Sequence, residues 1–474
     1  MRAEPPPAPY RADPQILKLA EWLGDEVFPA DFPKAELRFR NRRWDRAVGL
    51  DVLSDEQWVR HFGHFEPLPD NLPRPLALRY HGHQFRVYNP DLGDGRGFTF
   101  AQLRDGPNYG QPPRLLDLGT KGSGLTPYSR TADGRLTLKG AVREILATEM
   151  LEALGAYTSK TFSVIETGEE LWRGDEPSPT RSAVLVRLSH SHIRIGTFQR
   201  LAAFEAKAEM EQLVSYCLEQ FSGPLPPEDA PGRDEPAVIL FHQVVERLAD
   251  LAASYMAAGF VHGVLNTDNM NITGESFDYG PWRWLPRWEP GFTAAYFDQQ
   301  GLYAFGRQAE AIHWNCAQLA IALRQLSEAP PLVAALERFP ALYHASMARR
   351  FCWRLGIESR GVEQDAQLIA AAEQAMREEA TGPDAFFFAY RGGRKAGGAL
   401  GEVLAAYVPL PSDHDYWAGD APQSMLIEEV EAIWEAIASR DDWAPLHAKV
   451  AALRQMGEAL GEVPIPAGHQ PPTV

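Results

Sequence analysis

The 474-residue chain has room for about two to four domain-sized units, and its 63 Asp and Glu against 46 Lys and Arg give a net charge of −17. That sign excludes non-specific attachment to nucleic acid or to an anionic membrane, although an anionic nucleotide can still bind where the surface is locally basic. Three cysteines, Cys217, Cys316 and Cys352, lie far apart with no CxxC pair, which argues against a zinc site or a disulfide framework and fits a reducing compartment.

The chain starts MRAEPPPAPYRADP, without the basic-then-apolar order of a signal peptide, and no run of about 18 apolar residues follows. A soluble, cytoplasmic protein is expected, and the proline-rich ending from Pro464 is expected to fray. Residues 1–75 mix a short helical signal at Gln15–Leu23 with proline and aromatics, and read as an extension packed on the body. From Leu76 to about Val164, short apolar segments broken by glycine predict strands joined by turns. In Leu92–Arg96, LGDGR, Gly93 and Gly95 flank Asp94, so backbone N–H groups can approach a phosphate while Arg96 neutralises its charge. An ordinary Asp-Gly hairpin turn is the alternative. Lys121 closes an apolar run in which alternation puts Leu116 and Leu118 on one face and Asp117, Gly119 and Lys121 on the other. A lysine leaving a sheet beside small residues suits a phosphate; a solvated strand end is the bland reading.

Val142, Ile145, Leu146, Met150 and Leu154 then recur at helical spacing, and Gly155 supplies the stop. Glu144 flanks that stripe and can point along the sheet toward Lys121, as in the Lys–Glu pair with which kinases hold a lysine on nucleotide phosphates. Glu149 and Glu152 share the helix, and spacing alone does not choose among the three. Arg187 and Arg194 sit among apolar residues, where an unpaired guanidinium is costly, so each needs a buried partner, a carboxylate or a phosphate. His190 and His192 lack a third metal-ligand candidate and read as structural or supporting groups.

Beyond Ala202 the chain turns helical, with helices expected at Ala202–Phe221, Ala237–Ala258, Arg307–Leu326, Leu332–Phe351, Gln364–Glu378, Gly398–Tyr407 and Ile427–Ile437. The second of these runs into Phe260–Gly280, FVHGVLNTDNMNITGESFDYG, which resembles the metal-and-phosphate end of a protein kinase. In that register Asn269 takes the place of the metal-binding Asn and Asp278 that of the D-F-G Asp, a carboxylate and an amide oxygen suited to Mg²⁺. Val264 stands where the kinase base would be. Asp268 is the nearby carboxylate left for acid–base work. A polar hairpin with Asx-capped turns is the alternative for this stretch taken alone.

Together, GHQF (Gly82–Phe85), LGDGR, KGSGLTPYSR (Lys121–Arg130), DGR (Asp133–Arg135), Arg143-Glu144, the Arg187/Arg194 pair, HGVLNTDNM (His262–Met270) and DYGP (Asp278–Pro281) resemble the selenoprotein O family, in order over about residues 76–315. These are kinase-like protein adenylyltransferases. The resemblance implies an α+β, protein kinase-like bilobal fold, with a strand-rich nucleotide-binding N-lobe at residues 76–200. A larger helical C-lobe at 201–474 would carry the catalytic loop and metal site. It implies that ATP binds turned round, so that AMP passes to Ser, Thr or Tyr hydroxyls of proteins, this one included. Carried over, Gly93, Gly95, Arg96, Asp133 and Gly134 would line the nucleotide, and Lys121, held by Glu144, would contact phosphate. Arg187 and Arg194 would grip the outer phosphates, Asn269 and Asp278 would hold Mg²⁺ or Mn²⁺, and Asp268 would be the catalytic acid–base residue. A monomer is expected. Two departures stand out: Arg86 where Gly usually follows GHQF, and Ala294 where several members carry Cys, which speaks against disulfide regulation there. A conventional phosphotransferase and a non-catalytic nucleotide-binding scaffold are the competing readings.

Overall fold

The structure is a computed structural model that describes residues 7–106, 113–174, 176–395 and 397–464. Its first half contains β1 (Gly24–Glu26), β2 (Glu36–Arg40), β3 (Leu76–Leu78), β4 (Gly82–Gln84), β5 (Val87–Asn89), β6 (Thr99–Arg104), β7 (Leu115–Lys121), β8 (Leu136–Thr137), β9 (Lys160–Leu171) and β10 (Thr180–Ser189). Eight of them form an antiparallel sheet in the order β1-β3-β6-β7-β10-β9-β2, with β8 beside β10, while β4 and β5 make a separate hairpin. Residues before 76, expected to pack on the body, thus supply both edge strands.

Alternation along β7 behaves as the sequence predicts. Leu116 and Leu118 face an aromatic cluster that includes Phe98, Phe100, Phe162, and Trp58 and Phe62 of the early helix Asp55–Phe62. Each large apolar side chain fully buried there stabilises the fold by about 2 kcal/mol. The opposite face is covered by the helix Leu138–Ala153, whose Val142, Ile145, Leu146 and Met150 join Leu115, Val164 and Leu185 in the main core. Thr137 starts that helix by accepting the Gly140 N–H at 3.1 Å.

The second half is helical around the long helix Pro236–Ala258, buried on almost every face and stopped by Gly259 at φ +67°. That left-handed cap turns the chain into β11 (Phe260–Val261), which pairs with β12 (Arg283–Trp284). Between the two strands lies the Asx-rich loop, with one short helical turn at Thr267–Asn269. Two expected helices are each divided. The run expected at Ala202–Phe221 is replaced by Ile195–Ala203 and Lys207–Gln220, with Glu205 left-handed between them. The run at Leu332–Phe351 is Ala329–Glu337 followed by Phe339–Leu355, because Pro340 fits only a first helical turn. The helices Pro383–Tyr390 and Ala444–Leu460 had no counterpart among the expectations. No helix among the described residues is long and apolar enough to cross a membrane. All three cysteines are free and buried. The proline-rich end lies outside the described residues beyond Pro464.

Candidate active site

A cleft of about 410 Å³ lies between the sheet and the Asx-rich loop, within the size range of small-ligand sites. From β7, Lys121 reaches Glu144 with Nζ 2.6 Å from Oε2, both side chains almost fully buried. Burial pulls the lysine pKa down and Glu144 pulls it back up. The other two glutamates of that helix are engaged elsewhere. Glu149 holds Arg454 at 2.6 Å, and Glu152 pairs with Arg43 and accepts from Trp44 Nε1 at 3.3 Å. The choice that spacing left open falls on Glu144.

The partner of Arg187 and Arg194 is Asp278. Arg187 NH1 donates to its Oδ1, and Arg194 NH1 to its Oδ2 at 2.6 Å. Burial would raise the Asp278 pKa, but the two guanidiniums, with Lys121 behind them, hold it well below the usual carboxylate range. Asp278 also sits at φ +60°, a left-handed conformation that costs a non-glycine residue about 1 kcal/mol or more. Arg194 is the more enclosed of the pair. Its NH1 also donates to the Asp268 carbonyl at 2.9 Å, its NH2 to Asp94 Oδ1 at 3.2 Å, and its guanidinium lies against the rings of Tyr80 and Phe277. Arg194 therefore ties the LGDGR loop, the Asx-rich loop and Asp278 together, whatever it offers a ligand.

Asp268 and Asn269 both line the cleft. Asn269 Nδ2 donates to the Val264 carbonyl at 3.0 Å, which leaves Oδ1 available as an acceptor. Asp268 is 8% exposed, and its Oδ1 is buried without a hydrogen-bond partner. Burial pushes its pKa up to about 6, partly offset by Arg194. A carboxylate so placed takes up a proton near neutral pH.

The GHQF segment, quoted only for its family resemblance, proves to be what holds this loop. β4 and β5 lie against Thr267 and Asn266: the His83 N–H donates to Thr267 Oγ1 at 2.7 Å and the Phe85 N–H to Asn266 Oδ1 at 3.0 Å. Thr267 Oγ1 donates to Gln199 Oε1 at 2.7 Å. A Cβ on Gly82 would lie 3.1 Å from Asp268 Oδ1, so glycine there lets the carboxylate pack closely. The two-residue turn of the hairpin is Phe85-Arg86 at φ +49° and +63°. Glycine is favoured in such turns. Arg86 replaces it and reaches Glu310 at 3.1 Å.

The glycines of LGDGR serve a contact that the sequence did not reveal. A Cβ on Gly93 would fall 2.3 Å from the Tyr128 ring, and one on Gly95 2.9 Å from the Tyr128 carbonyl. They admit the Lys121–Arg130 loop, and Tyr128 is fixed through its hydroxyl to Asp25 of β1. Arg96 is exposed and lines the cleft with Gly93 and Gly95. Asp133 and Gly134 are not among the lining residues. Asp133 pairs with Arg173 at 2.8 Å, and Gly134, at φ +69°, packs under the Gly124 carbonyl. They support the loop rather than face the cleft.

Among the described residues no group of three or more His, Cys, Asp or Glu can hold a metal unaided. Asn269 Oδ1 and Asp278 nevertheless face one cleft, and the orphaned Asp268 Oδ1 lies beside them. That oxygen set fits a hard divalent cation if phosphate oxygens complete the shell.

A family model described as "Protein adenylyltransferase SelO" matches residues 9–397, well beyond the stretch of about 76–315 that carried the sequence resemblance. A relative from Synechococcus elongatus, "Protein nucleotidyltransferase YdiU", is 40% identical over 493 residues, covering 96% of both chains. Its namesake from Gloeobacter violaceus is 40% identical over 471 residues, covering 94% of this chain and 95% of its own. That from Synechocystis sp. is 47% identical over 351 residues, 73% of this chain and 71% of its own.

Proposed function

The chain belongs to the SelO protein adenylyltransferase family, and from that premise we propose that its cleft moves AMP from ATP to a Ser, Thr or Tyr hydroxyl of a protein, releasing pyrophosphate. The observation that carries this reading is the pairing, in one cleft, of cationic groups with a buried carboxylate of raised pKa, one of whose oxygens has no hydrogen-bond partner. Lys121 and Arg187 face the space in which a triphosphate would lie, and Asp268 lies opposite Gly82 on the Asx-rich loop. In the reaction the hydroxyl oxygen forms a bond to the α-phosphorus, the bond to the pyrophosphate oxygen breaks, and the hydroxyl proton passes to Asp268. Negative charge grows on the leaving pyrophosphate, and Lys121 and Arg187 stabilise it. A divalent cation held by Asn269 and Asp278 would supply Lewis-acid stabilisation of the same charge. Val264 fits this chemistry: with the nucleotide turned round, the reacting phosphorus no longer lies where a kinase base acts.

The arrangement of a sheet-rich half and a helical half around the cleft supports a kinase-like bilobal fold. Self-modification and use of Mg²⁺ or Mn²⁺ belong to the same reading. The test is incubation of a protein acceptor with ATP labelled at either the α- or the γ-phosphate. Acid-stable label from the α-position alone is expected; label from the γ-position alone would replace this reading with phosphotransfer, and none from either would leave a binding scaffold.

A further inference from the structure

Besides Asp278, Arg187 is oriented by His192 and, behind it, Asp117; the guanidinium and the His192 ring both also lie against Phe277 of the Asx-rich loop. Arg187 stands on β10 directly across from Gly119 of β7, and its Nε donates to His192 Nε2 at 3.1 Å. For Nε2 to accept, the ring proton of His192 must sit on Nδ1, and Nδ1 faces Asp117 Oδ2 at 3.0 Å. Asp117 is held in turn by the His192 backbone N–H at 2.9 Å and by Gln102 Nε2 at 2.7 Å. The three groups are buried, with Asp117 2%, His192 3% and Arg187 5% exposed. Gly119 makes room for them, since a Cβ there would lie 2.5 Å from His192 Nε2. The same strand face therefore carries Lys121 to the cleft and Asp117 to the histidine two steps behind it. Arg187 spends Nε on His192 and NH1 on Asp278, and among the described residues its NH2 has no protein acceptor.

We propose that Asp117 and His192 are positioning residues for phosphate recognition: by fixing the histidine tautomer they lock the Arg187 guanidinium edge-on to the cleft, with NH2 presented to the outer phosphates of ATP. The proposal rests on the reading of the cleft as an ATP site. A donor on His192 Nε2 in place of the acceptor would confront the Arg187 Nε–H, and the guanidinium would turn. The effect is confined to ligands that carry β- and γ-phosphates.

The experiment measures dissociation constants of ATP, pyrophosphate and AMP, together with thermal unfolding, for wild type, His192→Leu, His192→Gln and Asp117→Asn. His192→Leu removes the acceptor and is expected to weaken ATP and pyrophosphate by about tenfold or more, the scale of a charge-assisted hydrogen bond, with AMP changed by less than about twofold. Asp117→Asn removes the carboxylate charge that holds the Nδ1 proton, faces a fixed donor with its amide nitrogen in either orientation, and is expected to weaken ATP and pyrophosphate in the same direction. His192→Gln, whose carbonyl reaches about as far as Nε2, is expected to restore most of the ATP affinity. Equal losses for ATP and AMP, or folded His192→Leu and Asp117→Asn proteins that bind ATP as wild type does, would overturn the positioning role. A wild type that binds AMP as tightly as ATP would overturn instead the reading of the cleft beneath it.

Discussion

Asp278 and Asp250 are each held between two arginines, and of these two only Asp278 marks a site. Asp278 lies between Arg187 and Arg194; Asp250, in the middle of the helix Pro236–Ala258, lies between Arg349 and Arg350, the latter at 2.6 Å. In both, burial works against the carboxylate charge and the guanidiniums win, lowering the pKa of Asp250 to about 2 and that of Asp278 well below normal. The difference lies in what surrounds the pair. Asp250 has helical backbone, and it joins the helix Phe339–Leu355 to its neighbour. Asp278 has left-handed backbone at φ +60°, a cleft of about 410 Å³ in front of it and the unpartnered Asp268 Oδ1 nearby. A carboxylate between cations is therefore not diagnostic; strain, open space and an unsatisfied oxygen together are.

Asp278→Asn puts this contrast under the hardest strain. Asparagine tolerates the left-handed backbone, so the change removes charge alone, and transfer is expected to fall by about 10³-fold or more. The arginines left unpaired lower stability, and because they border open space, inorganic triphosphate should restore the melting temperature. If triphosphate stabilised Asp250→Asn equally, the distinction between the two clusters would fail. Asp268→Asn is expected to cost about 10²- to 10⁴-fold in transfer rate. At pH 7.5 its denaturant midpoint should be equal to or above wild type, since it removes a buried charge whose desolvation Arg194 and Gln84 offset only in part.

Asp250→Asn should do the reverse, leaving the ATP dissociation constant unchanged while lowering stability by about 2 to 3 kcal/mol. That is below the loss for a fully buried pair because the aspartate side chain keeps 33% exposure. Its pH dependence has a definite sign. The folded-state pKa lies below the ordinary value of 3.8, so the stabilisation is present above about pH 4 and disappears as pH falls toward about 2. Denaturation of wild type and variant at stepped pH should show their gap closing in that window. The smallest effect is expected from Arg86→Gly, where the left-handed backbone belongs to a turn rather than to a reacting group. Relief of strain should outweigh the lost Glu310 contact and raise stability by about 0.5 kcal/mol; a fall would show that contact to be the stronger.

How much of this was legible beforehand depended on whether a signal was local. Alternation sorted Leu116 and Leu118 from Asp117, Gly119 and Lys121, because side-chain direction in a strand follows from the backbone alone. Helical spacing brought Glu144 into view but could not separate it from Glu149 and Glu152, since that choice depends on how the helix docks on the sheet. Desolvation cost predicted that Arg187 and Arg194 need a partner, and left carboxylate and phosphate equally open; the structure shows Asp278. The glycines of LGDGR were legible as a place of close approach, but what approaches is Tyr128, some thirty residues on in sequence. Asp133 and Gly134 belonged to the motif without facing the cleft, because a motif records what a loop needs as well as what a ligand touches. The edge strands before residue 76 and the helix after Asp442 were missed for the same reason: their pairing partners are remote in sequence.

The β4–β5 hairpin carries a mechanical consequence. It leaves the sheet at β3 and is bolted to Thr267 and Asn266 on the other side of the cleft, and the LGDGR loop begins three residues after it ends. Along that edge the two walls move as one piece. Any widening of the cleft must strain these bonds together with the Arg194 contacts to Asp94, Asp268 and Asp278. The Asp268 carboxylate lies against that hairpin, close to Gly82, so the bonds that join the two walls also fix its distance to them.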